Sequence, residues 1–396
     1  MTPQHYKQVP RDLRANLDYR LKMNQRAVAD SGFRAAMRQA FREDVLFFFN
    51  SACWLYEPRI RKDAQGKILP NKIPFIVWEH QEGPILTINE NLGIRDIGIE
   101  KSRGEGMSWI LVQFAIRDWL FQPMSTIGLV SKDLDTVDNP RDPGSLFWKI
   151  DWGIAQLPSW IRPPKNMMER NLSQHTLNNK ENLSVISAFA ATGDVASGGR
   201  TKWFGMDELA KFPKGADYEA MASTQHVTDS RLFISTPKGD TGAYYDIMHS
   251  DKQNLVKIRV DWRQNPTKNR GLYTMIDGKP KAVDPSNPLP PHYDPPSPET
   301  LSLFSSLRRN GFKLEGIVRS PWYDGECDRG GATPQNIAQE LDMDYGGSKH
   351  KFFSHEFFSK AEMTVKQPTL RGDFVYDKET LTGEFVENEN GPLSLY

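Results

Sequence analysis

The chain has 396 residues, enough to bury one large core or two smaller ones, and its 38% hydrophobic and 25% charged residues are typical of a globular protein. Its 50 basic and 50 acidic side chains balance, which leaves a nucleic-acid partner open because such a protein needs only a local basic face. The N-terminal stretch is polar, which argues against a signal peptide, and no apolar run is long enough for a membrane span. Only two cysteines are present, Cys53 and Cys327, which argues against a disulfide-stabilised secreted domain. We therefore predict an intracellular protein with reduced thiols.

Helical periodicity is clearest near the start of the chain. Residues 12–57 are rich in Arg, Ala, Leu and Phe, and the stretches LRANLDYRL and FRAAMRQAFREDVLFFFN predict two helices. We interpret their arginines as a solvated face, with contact to DNA as the less favoured alternative. The polar, turn-rich stretch at residues 58–74 then predicts a connector, so that residues 1–74 form an N-terminal segment.

Short β-branched runs alternate with helical stretches from residue 75 to about residue 260. RDIGIEKS, STIGLVS, NLSVISAFA, TKWFGMDE and RLFISTP each predict a buried strand that leads into a loop or helix. Such alternation is typical of βαβ units around a mainly parallel sheet. We therefore predict an α/β core at residues 75–260, with helices flanking the central sheet.

The last third of the chain is less regular. The Pro-rich segment at residues 276–298 predicts a long surface loop, because proline removes backbone donors. A helix from Pro298 to Asn310 is expected next, within a lid or connector subdomain at residues 261–350. Residues 351–396 are predicted to be a linker and a hairpin, the latter formed by DFVYDKETLTGEFVE. We interpret the carboxylates of this hairpin as solvated: Asp373, Asp377, Glu379 and Glu384.

A candidate phosphate-binding loop, KSRGEGMS, begins at Lys101 between a predicted strand and a predicted helix. The usual pattern is G-x-x-x-x-G-K-[ST], in which backbone N–H groups cradle phosphates, the lysine reaches the β/γ oxygens and the hydroxyl holds Mg²⁺. Aligning Gly106 and Ser108 with that pattern places Met107 where the lysine should be. The cation must then be Lys101 or Arg103, and the competing interpretation is an ordinary glycine-containing turn. The candidate nucleotide contacts in this segment are Lys101, Ser102, Arg103, Gly104, Glu105, Gly106, Met107, Ser108 and Trp109.

Two later strands end in polar side chains that suit ATP hydrolysis. TKWFGMDELAKF predicts a strand ending at Asp207, which would hold Mg²⁺, and Glu208, which would orient and deprotonate the attacking water. RLFISTP predicts a strand ending at Ser235, Thr236 and Pro237, where a hydroxyl could sense the γ-phosphate and report it to a moving subdomain. Each motif alone could be a chance loop or turn. Their order after the phosphate loop is typical of P-loop ATPases with an additional strand and a catalytic glutamate.

Three other side chains are candidates around the nucleotide. The amide of Gln81 could pair with adenine, and Trp78 could support the ring, with a plain core position as an equal alternative for the tryptophan. Arg200, in the Gly-rich stretch GDVASGGR, could reach the γ-phosphate of a neighbouring subunit as an arginine finger. A surface arginine on a flexible loop is at least as good an interpretation.

Taken together, these motifs resemble those of the large terminase subunit of tailed bacteriophages. KSRGEGMSW resembles the phosphate loop of that family, in which the lysine is sometimes moved to the start, and this favours Lys101 over Arg103. WFGMDELA resembles its Walker B motif, ISTP its coupling motif, and the stretch from VRSPWYDGECDRGG to DMDYGGS the connector that follows the motor. The resemblance runs from about Pro74 to Phe353.

The resemblance implies a P-loop ATPase that uses ATP and Mg²⁺ to drive double-stranded DNA into a procapsid. The implied partners are double-stranded DNA, the portal protein, the small terminase subunit and further copies of the chain, expected to form a pentameric ring on the portal. The implied location is the cytoplasm of the infected bacterial host, with no membrane. Nuclease activity is expected only from a C-terminal domain that this chain does not contain.

Two rival functions remain open at this stage. A helicase-like DNA translocase would need a second motor domain, for which the region after residue 276 offers no pattern. A non-hydrolysing DNA-binding scaffold with a decayed P-loop is favoured by Met107. The N-terminal arginines and the pair Arg308 and Arg309 are candidate DNA contacts no better supported than solvated arginines.

Overall fold

The structure is a computed structural model that describes residues 5–62, 65–191, 195, 199–296, 318–345, 372–377 and 382–387. It divides into two compact units, Met1–Lys349 and His350–Tyr396. The predicted finer division of the first 350 residues stays a prediction. No helix among the described residues is long and apolar enough to cross a membrane.

The described helices and strands are numbered here in chain order. The helices are α1 (Leu13–Ala29), α2 (Ser31–Glu43), α3 (Val45–Ala52), α4 (Glu79–Asn91), α5 (Met107–Phe121), α6 (Leu134–Val137), α7 (Leu146–Gln156), α8 (Ala216–Thr224), α9 (Ala243–His249), α10 (Pro321–Cys327) and α11 (Pro334–Glu340). Short 3₁₀ turns lie at His5–Gln8, Lys165–Met167, Leu209–Lys211 and Trp262–Gln264. The strands are β1 (Trp54–Tyr56), β2 (Lys72–Pro74), β3 (Asp96–Lys101), β4 (Thr126–Ser131), β5 (Met168–Asn171), β6 (Thr176–Asn179), β7 (Ser184–Ala190), β8 (Trp203–Asp207), β9 (Arg231–Ser235), β10 (Leu255–Val260), β11 (Tyr273–Ile276), β12 (Lys279–Ala282), β13 (Gly372–Asp377) and β14 (Thr382–Glu387).

The central sheet of the first unit has eight strands in the order β10-β3-β9-β8-β4-β7-β6-β5. The strands from β10 to β7 are parallel, and β6 and β5 add an antiparallel edge. Strand β9 lies between β3, which leads into the candidate phosphate loop, and β8, which ends at Asp207 and is followed by Glu208. Strand β9 is therefore the additional strand expected between the phosphate-loop strand and the acidic strand, and the sheet confirms the predicted α/β fold class.

Helices cover both faces of the sheet, because the inner parallel strands are apolar on both sides. Ile99 and Ile234 join one core with helices α4, α5 and α7, whereas Phe204 and Phe233 join the other with α8 and α9. The packing is close enough that a Cβ atom at Gly128 of β4 would lie 2.1 Å from the ring of Phe204. Glycine is therefore required at that point of the sheet.

The N-terminal segment forms three helices where the sequence predicted two. Asp30 and Asp44 each accept a hydrogen bond from the backbone N–H three residues later, so they cap and separate helices within one periodic stretch. The interpretation of the arginines as a solvated face is wrong at Arg20, which is 2% exposed. Its guanidinium donates to the carbonyls of Asn50 and Cys53, so it fastens α1 to the end of α3.

The Pro-rich segment is more regular at its start than predicted. Strands β11 and β12 pair antiparallel around a turn at Gly278, whose φ is 72°, and Pro280 is tolerated because a two-stranded ribbon leaves one edge unpaired. Described residues 283–296 form no helix or strand. The predicted helix from Pro298 to Asn310, which includes Arg308 and Arg309, lies outside the described residues.

The second unit contains the predicted hairpin. Strands β13 and β14 pair antiparallel, with Gly372 opposite Glu387 and Asp377 opposite Thr382, which confirms that prediction. Glu384 is exposed, as expected for a solvated carboxylate, and Glu379 lies outside the described residues.

Candidate nucleotide-binding site

The candidate motifs meet at the carboxyl edge of the central sheet. Strand β3 ends at Lys101, β8 ends at Asp207 and β9 ends at Ser235. Because these strands are parallel neighbours, with Glu100 opposite Ser235 and Asp207 opposite Ile234, the segments that follow them lie side by side. The edge of an open α/β sheet at which strands end is where ligands usually bind.

The loop between β3 and α5 has the backbone shape of an anion-binding turn. Gly104 and Gly106 both have a φ of 75°, in the left-handed region that favours glycine, and Gly106 is the N-cap of α5. The helix N-terminus presents free N–H groups, which favour a phosphate. Met107 is buried in the core, so its side chain does not face this site.

Lys101 contacts the carboxylate that follows β8. Its Nζ lies 3.0 Å from Oε1 of Glu208, and the lysine is only 5% exposed. On the other side of the carboxylate, Nζ of Lys211 lies 3.0 Å from Oε2. Burial opposes ionisation of Glu208, but the charges of Lys101 and Lys211 hold its pKa below the usual value. Glu208 is therefore an ionised carboxylate held between two cations at neutral pH.

The backbone of Glu208 is strained in a way that suits a functional position. Its φ of 59° and ψ of 40° place a residue other than glycine in the left-handed region. Such a conformation persists only where the surrounding structure fixes it, and it is common at active sites. Here it turns the chain from β8 into the 3₁₀ turn at Leu209–Lys211, so that Lys211 faces back towards the carboxylate.

Asp207 is buried beside Ser108. Burial and the neighbouring charge of Glu208 raise the pKa of Asp207, whereas Lys101 and a hydrogen bond from Ser108 lower it. Oδ1 of Asp207 has no hydrogen-bond partner among the described residues. A buried oxygen without a donor is a natural ligand position for a hard cation. Lys149 of α7 is the other nearby charge that favours the ionised form.

A second buried charge cluster holds the phosphate loop from the opposite side. The carboxylate of Glu105 is fully buried and lies 2.6 Å from Nζ of Lys268, 3.1 Å from Nε2 of His80 and 3.0 Å from Nδ2 of Asn265. Burial opposes its ionisation, but His80 and Lys268 hold the pKa of Glu105 below the usual value. Lys268 also donates to the carbonyl of Arg103. The cluster therefore joins the loop to α4 and to the lid.

Gln81 and Trp78 lie at the start of α4, beside the loop. The Gln81 amide donates to the carbonyl of Glu105 at 2.9 Å, and its oxygen accepts from the backbone N–H of Trp78 at 3.1 Å. A contact between this amide and adenine would require exchange of those bonds. The half-buried Trp78 stacks on the ring of His80, with centroids 5.7 Å apart. The half-buried Trp109 instead contacts Trp152 of α7.

The end of β9 faces the carboxylates. Ser235 Oγ accepts from the backbone N–H of Ala210 at 3.2 Å and donates to the carbonyl of Thr236 at 2.9 Å. The hydroxyl of Thr236 is buried and has no partner in the described part of the chain. Pro237 is also buried. Tyr244 of α9 donates to the carbonyls of Ile99 and Ser235, so it ties β9 to β3.

Arg200 does not join this group of residues. It is exposed and precedes β8, where its carbonyl accepts from the hydroxyl of Thr126 at the start of β4. Strand β8, which runs from Trp203 to Asp207, spans on the order of 13 Å, and Arg200 precedes its far end. Arg200 therefore lies at the amino edge of the sheet and does not contact the phosphate loop of its own chain.

Sequence reasoning missed several charged residues of the site. Lys211 follows Glu208 by three residues in a short turn, so its spacing was a usable signal. Lys268 and Glu340 come from the lid and connector, far along the chain, and no local pattern distinguishes them from solvated charges. The residues that the motifs did not include are His80, Lys149, Lys211, Asn265, Lys268 and Glu340.

The chain is similar to one protein family over part of its length. The model of a family described as terminase large subunit, T4likevirus-type, N-terminal, matches residues 99–285. A search of curated protein sequences gave no match. Among solved structures, the chain is similar to the large terminase ATPase domain of Thermus phage P74-26, with 17% identity and a TM-score of 0.37 over 46% of this chain and 82% of that one. It is also similar to the large terminase of bacteriophage HK97, with 14% identity and a TM-score of 0.41 over 73% of this chain and 53% of that one.

The matched segment contains the phosphate loop, the acidic end of β8, the additional strand β9 and the start of the lid. These are the elements that meet at the carboxyl edge of the sheet. Over residues 99–285 the chain is similar to the N-terminal part of the terminase large subunit family.

Proposed function

We propose that the chain is the ATPase motor of a DNA-packaging terminase, which hydrolyses ATP to move double-stranded DNA into a procapsid. The observation that carries the proposal is the 3.0 Å contact between Lys101 and Glu208. It brings the displaced cation of the phosphate loop to the candidate base at the end of β8, in a sheet with the additional strand between them. An ordinary strand–turn–helix connection would not require these two charges to meet.

Phosphate binding uses the loop backbone and one cation. The N–H groups around Gly104 and Gly106 and the N-terminus of α5 face the phosphates. Lys101 supplies the charge that Met107 does not, from the end of β3 and not from the start of α5. Arg103 is the alternative cation, but its side chain is 71% exposed and it pairs with the connector.

Glu208 acts as the base. When ATP binds, Lys101 turns towards the β/γ oxygens, and one oxygen of Glu208 becomes free to accept a proton. A water molecule attacks the γ-phosphorus, its proton passes to Glu208, and the bond from the γ-phosphorus to the ADP oxygen breaks. Lys211 keeps the other oxygen of Glu208 in place.

The site fits a Mg²⁺ ion. Ser108 and Asp207 would hold it, since the unpartnered Oδ1 of Asp207 and the adjacent hydroxyl are the oxygen ligands that Mg²⁺ prefers. When bound, the ion would neutralise charge on the phosphate oxygens. The buried hydroxyl of Thr236 lies just after the neighbouring strand β9, where it would sense the γ-phosphate and report its loss to the lid.

Gln81 and Trp78 form the proposed base side of the nucleotide site, and Arg200 is proposed to act in trans. The position of Arg200 at the amino edge of the sheet supports a role towards a neighbouring subunit, because it lies away from the nucleotide of its own chain.

The proposed partners are other copies of the chain in a pentameric ring, double-stranded DNA, the portal protein and the small terminase subunit. The proposed location is the cytoplasm of the infected bacterium.

One observation favours a different class of function. The usual lysine position is occupied by Met107, an uncharged side chain packed in the core, so this position supplies no cation. A DNA-binding scaffold with a decayed P-loop would look the same at this residue. The scaffold, however, gives no reason for Lys101 to be buried against Glu208.

ATP hydrolysis and ATP binding by purified variants separate these functions. We expect Glu208→Gln to bind ATP nearly as well as the wild type and to lose roughly 10²- to 10⁴-fold in turnover, the range for removal of a general base. Lys101→Ala should weaken ATP binding itself. Lys180→Ala is the matched control, because Lys180 is an exposed lysine paired with Glu169 on the far edge of the sheet.

The assays should be run with and without double-stranded DNA and portal protein, since packaging motors assemble on their partners. Near-normal turnover by Glu208→Gln would remove Glu208 as the base. Equal absence of binding and turnover in the wild type and in Lys101→Ala, with both partners present, would favour the scaffold.

A further inference from the structure

The end of helix α11 in the connector is bonded directly to the phosphate loop. The carbonyl of Glu340, its last residue, accepts a hydrogen bond from the backbone N–H of Arg103 at 2.6 Å. The next carbonyl, that of Leu341, accepts from the hydroxyl of Ser102 at 2.8 Å. Two consecutive connector residues therefore hold two consecutive loop residues, so movement of either segment must involve the other.

The side chain of Glu340 adds charge to this junction. Its Oε1 lies 3.3 Å from Nζ of Lys211, and its Oε2 lies 3.4 Å from Nη1 of Arg103. Gln339 also donates to Oε1 at 2.9 Å. The side chain is 16% exposed, so these charges attract one another with less screening than on an open surface.

Both cations that Glu340 binds belong to the candidate site. Arg103 is a residue of the loop itself, and Lys211 also lies 3.0 Å from Oε2 of Glu208. A triphosphate at this loop brings several negative charges to the same place. Its oxygens and the carboxylate of Glu340 are equivalent ligands for a guanidinium or an ammonium group.

We propose that Glu340 is a positioning residue that competes with the phosphates of ATP for Arg103 and Lys211. In this arrangement the connector is held on the loop while the site is empty, and phosphate binding draws the two cations away from Glu340 and loosens α11. Nucleotide binding is thereby coupled to the connector through a charge exchange, in addition to any signal from Thr236. The inference rests on the proposed ATP site.

The test compares Glu340→Gln with the wild type for binding of a non-hydrolysable ATP analogue with Mg²⁺, by calorimetry on the full chain. Glutamine keeps the size of the side chain and its contact with Gln339 but removes the competing charge. We expect binding of the analogue to tighten by about three- to tenfold, in line with the loss of two partly screened ion pairs. AMP, which lacks the β- and γ-phosphates, should bind with unchanged affinity.

A purely structural role of Glu340 predicts the opposite sign, because damage to the loop would weaken binding of the analogue. Glu169→Gln is the matched control, since Glu169 is an exposed carboxylate paired with Lys180 on the far edge of the sheet. Arg103→Gln provides a second background: if the two groups compete, adding Glu340→Gln to it should tighten binding less than in the wild type. If Glu340→Gln folds poorly, exchange of the Arg103 amide in the wild type, with and without the analogue, still tests the inference.

Hydrogen exchange gives an independent readout of the connector. In the wild type the analogue should speed exchange of the Arg103 amide, which is bonded to the Glu340 carbonyl. Glu340→Gln should show part of that increase without nucleotide. Unchanged or weaker binding by Glu340→Gln would overturn the inference, and so would unchanged exchange of the Arg103 amide in the wild type on addition of the analogue.

The outcomes also separate this inference from the proposed function. If the wild type does not bind the analogue, or binds it independently of Lys101, the ATP site itself is wrong and the inference falls with it. If binding depends on Lys101 but does not tighten in Glu340→Gln, only the competition is wrong.

Discussion

The contact between Lys268 and Glu105 gives the sharpest stability prediction. Replacing Lys268 by methionine keeps most of the side-chain volume but removes the ammonium group, which lies 2.6 Å from the fully buried carboxylate. The carboxylate then stays buried without its only lysine partner among the described residues. Breaking one side of a buried pair typically costs about 3–5 kcal/mol. Because His80 and Asn265 remain in contact with Glu105, we expect the lower end of that range, about 3 kcal/mol.

The double variant Glu105→Gln/Lys268→Met should recover most of this loss. It removes both charges together, leaves a neutral amide facing His80 and Asn265, and should lie within about 1 kcal/mol of the wild type. Lys180→Met is the control, because Lys180 is 52% exposed and its pair with Glu169 should contribute less than about 1 kcal/mol. The assay is urea unfolding followed by circular dichroism, with the slope checked for each variant. If Lys268→Met costs no more than Lys180→Met, the buried pair does not hold the phosphate loop to the lid.

Three further predictions concern residues around the site. The pKa of Glu105 is held below its ordinary value of 4.5, so the ionised carboxylate stabilises the fold fully above pH 4.5. This stabilisation is lost as the pH falls through the lower pKa of the folded state. The urea midpoint of the wild type should therefore exceed that of Glu105→Gln by a constant amount at neutral pH and by less below pH 4.5. Arg200→Ala should bind ATP normally but lose turnover in the portal-bound ring, and mixing it with Lys101→Ala subunits should restore part of the turnover; rescue that fails at every mixing ratio would argue against a role in trans. Gln81→Ala should weaken ATP binding more than GTP binding, because its amide is proposed to pair with adenine, and equal losses for the two nucleotides would show that Gln81 only supports the loop through Glu105.

The sheet was predictable because its inner strands are continuous apolar runs that end in polar motifs. Parallel strands buried on both faces produce that pattern, and the order of the motifs then predicts which strands are neighbours. The break at Asp44 was missed for a local reason. A capping aspartate within a helical period looks like one polar position of the helix, and only its bond to the Phe47 amide shows that a new helix begins.

The charged contacts of the site were predictable only where they were local. Glu208 and Lys211 lie in one short turn, but Lys268 and Glu340 reach the phosphate loop from distant parts of the chain. A single sequence shows a lysine or a glutamate without showing its partner, and a solvated charge is the commonest outcome for either residue. In the structure, burial distinguishes Lys268 and Glu340 from solvated charges, because a buried charge must have a partner.

The proposed phosphate-binding cation, Lys101, lies at the end of a strand and not at the start of a helix. In the usual pattern the lysine extends from the first turn of the helix, so its position follows the helix. Lys101 is instead the last residue of β3, a strand flanked on both sides by β10 and β9, so the sheet fixes its position. The loop can then shift with the lid, through Arg103 and Glu105, without moving Lys101. For the proposed motor, this arrangement gives a physical reason to place the phosphate-binding cation on the sheet, while Arg103, which pairs with Glu340, lies on the loop.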